Sequence, residues 1–523
     1  MSSPASQAET PPRSGLVLLA LIVGAIVANI NLSIANVALP TIGSDLGASQ
    51  DQLNLIAEAF ALGLASTVLY LGAIGDRYGR KMLFVIGAIL TIPTACMSAW
   101  APNAEFLAFS RLTAGFAAAL LFPTTLSLIS SLYRGNAKVK AIAMWSGLGA
   151  GFAALGPLAG GYLLQYFWWG SVFLISIPLV LVALIVGLIV IPSHISTETQ
   201  PVDHLGGVLS IVGVGGLVIA IQTLHEGVDT SWTVITVITV LALIGFFLRQ
   251  KRAPRPLVDL PLAKARTFWV AFVAGAITFG ALIGAMFIGQ QFTQDVLGYN
   301  TFNAAAVAVP SAIFAAVGGQ IAGKFVIARG SRSTLSIGLG LVAIAFAIMM
   351  LTWKQGASLT WILLAYAFVG AGVGMAATPA SRALMSSVPQ SHSGMGSAFL
   401  DLTRDFGGAV LQALLGGILA GVYVTKMTEG IQGLPADQAD QVTSEIATSL
   451  TASFGDAAHV ATQYPPNIGQ QILQAASEAF TDGKTAAMGV ALALSLVGLA
   501  LVMVLFPKKQ AENEYYEKIA STQ

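Results

Sequence analysis

The sequence is poor in charge and has a single cysteine. Charged residues make up 9% of its 523 residues, whereas apolar residues make up 55%. A soluble domain carries about 25% charged residues, and one water-facing surface could not cover this much apolar mass. The composition therefore excludes an ordinary soluble domain and predicts a chain that lies in a lipid bilayer.

The same scarcities exclude several kinds of site. Cys96 alone can form neither a disulfide within the chain nor a Cys-based metal site. The 25 Lys and Arg nearly balance the 24 Asp and Glu, so no basic surface predicts binding of nucleic acid. There is no G-x-x-x-x-G-K-[ST] phosphate loop, and no Ser/His/Asp set converges. We expect no enzyme, no metal site and no cofactor.

Fourteen apolar runs of about twenty residues predict membrane-crossing helices. They lie at 16–39, 53–74, 82–100, 105–130, 139–165, 171–191, 205–224, 232–248, 267–292, 302–327, 333–352, 359–386, 394–423 and 484–506. The runs at 205–224 and 232–248 are the weakest, since one is rich in glycine and the other is short. Residues 1–15 are polar and lack a signal-peptide pattern, so we expect a cytosolic tail.

The basic residues lie mainly on one side of this arrangement. They are concentrated in the loops at 75–81, 133–140, 249–266 and 328–332. The positive-inside rule therefore predicts that both termini, 1–15 and 507–523, are cytoplasmic. The long external segment at 424–483 is predicted to be either a partly helical cap or an irregular surface loop.

Five ionisable residues lie deep within predicted spans. They are Glu58, Arg111, Asp401, Arg404 and Asp405. Each costs roughly 2.5–3.5 kcal/mol at the membrane centre and persists mainly where it faces a cavity or a partner. Asp401 and Asp405 share one helix face, with Arg404 one turn from Asp401. This set can load and release a proton, or Arg404 can form a permanent ion pair with one carboxylate. Glu58 is alone on its helix face, and we predict that it binds and releases a proton.

Other spans carry candidate cavity residues. Asn29, Ser33 and Asn36 form a polar stripe in the first span, with Asn31 beside it. Such a stripe lines a wet cavity or bonds to a neighbouring helix. Five residues are candidates for an apolar wall that contacts the substrate: Phe60, Met286, Phe287, Phe292 and Met375. Residues of these types more often pack in the core or face lipid.

The stretch GAIGDRYGRK (72–81) resembles the signature loop of the major facilitator superfamily. Its matching positions are Gly72, Asp76, Arg77, Gly79 and Arg80. A weaker copy, GKFVIARGSR (323–332), lies between spans ten and eleven. The resemblance implies a major facilitator fold, an all-α polytopic membrane protein. Its two six-helix bundles would lie at 16–191 and 267–506, with two inserted helices and a basic linker at 192–266.

Further stretches resemble the fourteen-span drug:proton antiporter branch of that superfamily. FLAFSRLTAG (106–115) is similar to the motif whose arginine, here Arg111, is implicated in proton coupling. GPLAGG (156–161) is similar to the antiporter motif, and the residues that match it are Gly156, Pro157, Gly160 and Gly161. MGSAFLDLTRDFGG (395–408) places Asp401 and Asp405 at the branch's protonatable positions.

Several positions depart from the pattern of this branch. Asn31 and Ser33 stand where aspartate and threonine are usual, and Asn31 cannot carry a proton. Phe152 stands where a glycine is usual, and WGSVFLISIP (169–178) lacks the usual arginine and asparagine. The coupling site is therefore expected at Asp401, Asp405 and Glu58.

The resemblance implies a secondary active exporter of the multidrug efflux kind. It would exchange a small amphipathic, lipophilic or cationic substrate for protons by alternating access, driven by the proton gradient. We expect a monomer in the cytoplasmic membrane of the cell. One alternative is an exporter or flippase of a lipid or lipid-like metabolite. Another is a non-transporting receptor or scaffold, against which Asp76, Arg111, Asp401 and Asp405 argue.

Overall fold

The structure is a computed structural model that describes residues 10–48, 50–192, 202–223, 229–254, 256–389, 392–433 and 442–521. Every element of regular structure in these ranges is a helix. Backbone groups in a bilayer have no water to bond, and a helix satisfies them within its own segment. The all-helical prediction is therefore confirmed.

The first bundle contains six spans in seven helices, because its last span is broken into two helices. The seven helices are α1 Ser14–Leu46, α2 Gln50–Tyr78, α3 Arg80–Ala99, α4 Ala104–Leu132, α5 Gly135–Tyr166, α6 Ser171–Leu174 and α7 Ser176–Val190. Two longer helices and one short helix follow, α8 His204–Gln222, α9 Thr230–Arg252 and α10 Leu260–Ala263.

The second bundle and its extensions complete the chain. They contain α11 Arg266–Gln291, a π-helical turn at Phe292–Val296, α12 Thr301–Ala306, α13 Val309–Arg329, α14 Ser331–Thr352, α15 Leu359–Ser386, α16 Ser393–Gln432, α17 Ser444–Ala452, α18 Phe454–Ala461, α19 Pro466–Leu505 and α20 Lys509–Ser521. Thirteen helices of the described ranges are long and apolar enough to cross a bilayer. With its 32 residues, α5 has the length of a fourteenth.

Some helix boundaries differ from the predicted ones. The span predicted at 171–191 is interrupted at Ile175, between α6 and α7. At the other end of the chain, α16 continues to Gln432 and α19 already begins at Pro466. Much of the external segment predicted at 424–483 is therefore a continuation of two spanning helices. An apolar run marks the lipid-contacting part of a helix and carries no signal for where the helix stops beyond the bilayer.

The remainder of this external segment packs against those continuations. The hydroxyl of Tyr423 on α16 donates to the carbonyl oxygens of Leu450 (3.2 Å) and Ser453 (3.1 Å). The ring of Phe454 on α18 lies edge-on to Phe480 of α19, with ring centroids 6.3 Å apart. Between 442 and 465, the short helices α17 and α18 thus lie over one end of the second bundle.

Glycines bring equivalent helices of the two bundles into backbone contact. A Cβ at Gly63 of α2 or Gly115 of α4 would overlap the backbone of the other helix. In the second bundle, a Cβ at Gly370 or Gly374 of α15 would overlap carbonyl oxygens of α13. In lipid the hydrophobic effect does not drive helices together, so the close packing that glycine allows stabilises their association instead.

Of the two inserted helices, α8 packs beside the contact between α2 and α16, and α9 packs on α8. Tyr70 of α2 lies against Gly207, and its hydroxyl is 2.7 Å from Nδ1 of His204. Val214 and Val218 of α8 share an apolar cluster with Ala398 of α16. Helix α8 therefore covers one contact between the two bundles.

The tail helix α20 docks on the second bundle through Glu512. This side chain is fully buried, and its carboxylate accepts hydrogen bonds from the Ser331 amide (3.0 Å) and hydroxyl (2.5 Å) at the start of α14. It also pairs with Arg382 of α15, 3.4 Å from Nη1. Burial and the Glu512 carboxylate raise the pKa of Tyr516, whose ring lies 5.4 Å from Cζ of Arg382. A negative charge at a helix N-terminus is favourable, so Glu512 caps α14 and neutralises Arg382 together.

Replacing Glu512 by Gln is expected to loosen the tail. Glutamine keeps the shape but leaves the half-buried Arg382 without its counter-charge, and the loss of one partner costs about 3–5 kcal/mol in buried pairs. Limited proteolysis in detergent should cleave the tail on the order of a hundredfold faster, since each 1.4 kcal/mol is about tenfold in population. The exposed Glu517→Gln on the same helix is the matched control; equal cleavage of both variants would contradict the docking role.

Candidate functional site

Asp76 joins the two bundles at the end that carries the loops 75–81, 133–140, 249–266 and 328–332, here called the basic end. Its carboxylate accepts the Gly394 amide of α16 at 3.0 and 2.8 Å and pairs with Arg80 at 3.0 Å. Gly394 lies in the first turn of α16, where free N–H groups and the helix dipole favour an anion. Asp76 therefore fastens the first bundle to the N-terminus of a helix in the second.

The neighbouring residues of this loop allow that contact. A Cβ at Gly72 would lie 2.9 Å from the Gly394 carbonyl oxygen, so only glycine permits this approach of α2 and α16. Gly79 has φ 110°, a conformation that L side chains rarely adopt, and it separates α2 from α3. Arg77 stacks on Tyr78, with Cζ 5.6 Å from the ring centroid. The loop is thus shaped by its glycines and held by its charges.

Two hydroxyl pairs join the bundles near the same end. Ser127 of α4 and Ser393 of α16 have Oγ atoms 2.8 Å apart, and Ser146 of α5 is 3.3 Å from Ser381 of α15. All four residues are buried. The basic end is therefore closed across both pairs of facing helices.

Deeper in the bundle, Arg404 of α16 connects the two halves. Its Nε lies 3.2 Å from Asp405 and its Nη1 donates to the Asn29 side-chain oxygen of α1 at 3.1 Å. Its Cζ lies 4.3 Å from the ring centroid of Phe122 on α4. The ion pair predicted for Arg404 is thus made with Asp405 and extended to two helices of the first bundle.

Asp401 and Asp405 are both almost fully buried, with 2% and 9% of their surface exposed. One oxygen of each, Oδ2, has no hydrogen-bond partner among the described residues. A buried polar atom without a partner is costly and marks a place where a proton or a ligand donor fits. The geometry therefore combines both interpretations of this set: one ion pair, and two carboxyl oxygens that remain available.

Arg111 is fully buried in the first bundle. Its Nη2 donates to the backbone oxygen of Asn31 at 2.8 Å, and its Cζ lies 4.7 Å from the ring of Phe60 and 5.4 Å from that of Phe173. Its Nε and Nη1 have no partner within the described part of the chain. The two rings offer their negative faces to the guanidinium in place of a carboxylate.

The predicted polar stripe of α1 divides between two directions. Asn29 reaches Arg404, whereas Asn31 donates to Ser176 of α7 at 2.7 Å and to the Val27 carbonyl. Asn36 is exposed, and Ser33 bonds back to its own helix. Asn29 and Asn31 therefore bond to neighbouring helices, and Asn31 also lines a small cavity with Phe60, Thr94 and Ser98.

The antiporter-like motif of α5 packs against α1. A Cβ at Gly156 would overlap the Ser33 hydroxyl, and one at Gly160 would lie 2.9 Å from Ile34. Gly161 is more open, with its nearest side-chain atom at 3.9 Å, and Pro157 lies within the helix. The motif therefore sets how closely α1 and α5 approach.

The predicted substrate wall is not brought together as one surface. Phe60 is buried against Arg111 in the first bundle, while Phe292 is buried in the second bundle and stacks on Trp353 at 5.3 Å. Met375 is buried, and Met286 and Phe287 are half-buried. Glu58 is half-buried on α2. Phe60 also lines a small cavity, and a substrate-binding role of these residues stays a prediction.

Sequence reasoning missed an aromatic pair beside Arg404. The ring centroids of Phe122 and Trp145 lie 5.3 Å apart, and the indole N–H of Trp145 donates to Thr125 at 2.8 Å. Both rings belong to the first bundle, whereas Arg404 belongs to the second. A contact between helices so distant in sequence leaves no local pattern.

Two six-helix bundles, a pair of inserted helices and a buried charge set define a polytopic transporter. The chain belongs to the Major Facilitator Superfamily, whose family model matches residues 21–411. It is 30% identical over 503 residues to the multidrug efflux pump LfrA of Mycolicibacterium smegmatis, covering 96% of this chain and 98% of LfrA. It is also 30% identical over 494 residues to the methyl viologen resistance protein SmvA of Salmonella typhimurium, covering 93% and 98%. The probable multidrug resistance protein EmrY of Escherichia coli is 27% identical over 476 residues, covering 89% and 91%.

These comparisons confirm the family resemblance and the fourteen-span fold. The chain matches these relatives over nearly their whole length. The protein is therefore a multi-pass membrane transporter of small molecules and not an enzyme.

Proposed function

We propose that the protein exports lipophilic or cationic small molecules across the cytoplasmic membrane in exchange for protons, as a monomer with both termini cytoplasmic. The observation that carries this proposal is the buried pair Asp401 and Asp405, each with one unpartnered oxygen beside an arginine that bridges both bundles. Its location at the bundle interface would let one protonation event bias the whole rearrangement.

The closed basic end supports the alternating-access part of the proposal. If basic loops face the cytoplasm, Asp76 closes the cytoplasmic side by its bonds to Gly394. Opening that side breaks these bonds and the two serine pairs. Protonation or substrate binding at Asp401 and Asp405 would then decide which end opens.

The names of the relatives support the substrate class. SmvA is named for resistance to methyl viologen, a dication, and LfrA and EmrY for multidrug transport or resistance. Transport of methyl viologen into inside-out vesicles from cells that express the protein, with acidification of the lumen, tests the proposal. Uptake that collapses with a protonophore supports it, and uptake that requires ATP in the presence of the protonophore contradicts it.

Replacing Asn31 by Asp is expected to shift preference toward cationic substrates by about threefold to tenfold, up to 1.4 kcal/mol. The new carboxylate would lie beside Arg111, which has two unpartnered nitrogens, and would offset its positive charge. Relative uptake of methyl viologen and an uncharged dye is the measurement. Asn36→Asp, the same change at an exposed site of α1, is the control; an unaltered profile in Asn31→Asp would count against charge selection at this position.

A further inference from the structure

Arg404 occupies surroundings suited to a cation. Its guanidinium meets a carboxylate oxygen of Asp405 at 3.2 Å, the amide oxygen of Asn29 at 3.1 Å and the face of Phe122 at 4.3 Å. Each of these residues is at least nine-tenths buried. A carboxylate, a carbonyl dipole and an aromatic face in a water-poor place are the groups that bind lipophilic cations.

We propose that Arg404 competes with the substrate for a cation subsite made by Asp405, Asn29 and Phe122. The guanidinium fills this subsite in the structure, and a lipophilic monovalent cation binds there when the guanidinium leaves. This inference rests on the proposed export function and names the substrate class of the same site.

The structure provides a second position for the displaced arginine. Asp401 lies three residues before Arg404 on α16, a spacing at which side chains on a helix meet. Its Oδ2 has no hydrogen-bond partner among the described residues. A change of rotamer would carry the guanidinium from Asp405 toward Asp401, so Arg404 keeps an anionic partner while Asp405 and Phe122 become available.

Arg404 also changes the net charge of the set that it forms with Asp401 and Asp405. With both carboxylates ionised, the set of Asp401, Arg404 and Asp405 carries a net charge of −1, and it accepts one further positive charge before it is neutral. Without the arginine the net charge would be −2. Arg404 therefore lowers from two to one the number of positive charges that the set can neutralise, and affects selectivity as well as affinity.

The test is equilibrium dialysis of tetraphenylphosphonium against the purified full-length protein in detergent. Arg404→Gln removes the competing cation, and its Kd for tetraphenylphosphonium should fall at least tenfold. Arg404→Lys keeps a cation and should stay within about threefold of the original protein. Triphenylphosphine oxide, an uncharged molecule of similar shape, should bind all three proteins alike. Unchanged or weaker tetraphenylphosphonium binding in Arg404→Gln would overturn the proposal, as would an equal gain for the neutral molecule.

A second variant keeps the inference testable if Arg404→Gln fails to fold. Phe122→Leu removes the aromatic face and leaves every charge in place, so tetraphenylphosphonium should bind at least fivefold more weakly while the neutral molecule is unaffected. Unchanged cation binding in Phe122→Leu would overturn the subsite. Proton coupling is measured separately, so a protein that couples but fails these binding tests loses only this inference, and one that binds as expected without coupling loses the antiport proposal.

Discussion

Asp401→Asn and Asp405→Asn are each expected to abolish substrate-driven proton movement. Asparagine has the same shape but cannot exchange a proton, and each carboxyl has an oxygen that is buried and unpartnered within the described residues. In proteoliposomes that contain a pH-sensitive dye and carry an imposed pH gradient, addition of methyl viologen should release protons with the original protein. The two variants should fall to the level of empty liposomes.

The control for this experiment is Asp482→Asn. Asp482 is an exposed carboxylate on α19, so the same chemical change there should leave proton movement intact. Elution profiles and thermal unfolding in detergent establish that each variant is folded. Full coupling in both Asp401→Asn and Asp405→Asn would remove these residues from the mechanism and leave Glu58 as the candidate predicted in the spans.

Asp76→Ala is expected to lower the rate of transport by at least tenfold while substrate binding persists. Alanine leaves the Gly394 amide without its acceptor and Arg80 without its counter-charge, and losses of this kind cost about 3–5 kcal/mol. Because the bond joins different bundles, its loss destabilises the conformation in which the basic end is closed. A shift of that size changes a two-state population by a factor of about a hundred or more.

Labelling of a cysteine at the basic end measures this shift directly. In a Cys96→Ala background, Ser127→Cys places a thiol at a buried position that faces Ser393 across the bundle interface. A membrane-impermeant maleimide should label it slowly in the parent and at least tenfold faster with Asp76→Ala. Asp229→Ala, which removes an N-cap of α9 away from this contact, is the control. Equal labelling rates in parent and Asp76→Ala would contradict the closing role.

The motif at 72–81 identifies a loop but not the segment that this loop contacts in the fold. Its residues match the family's signature loop, and the structure supplies the partner of Gly72 and Asp76, which is Gly394 of α16. The partner is 318 residues away in sequence, so no local pattern could name it. In the second copy of the loop no acid stands at the equivalent position, and a carboxylate from the tail, Glu512, bonds to Ser331 instead.

The carboxylate set shows the same division. Spacing on α16 placed Asp401, Arg404 and Asp405 together and left open whether Arg404 forms an ion pair. Helix periodicity could not tell which carboxylate the arginine chooses, because that depends on Asn29 and Phe122 from the first bundle. The apolar wall stays a prediction: Phe60 and Phe292 are equally apolar in sequence, and only the structure shows that they lie in different cores.

By itself the sequence determined that this chain is helical, crosses the membrane many times and carries a set of ionisable residues in one late span. Those properties follow from apolar run length, the cost of buried charge and the spacing of residues along a helix, all of which act over fewer than about thirty residues. The tertiary structure alone decided which helices meet at Asp76, how Arg404 is held and what the tail does. These depend on contacts between segments that are distant along the chain, and such contacts form only when the two bundles pack against each other.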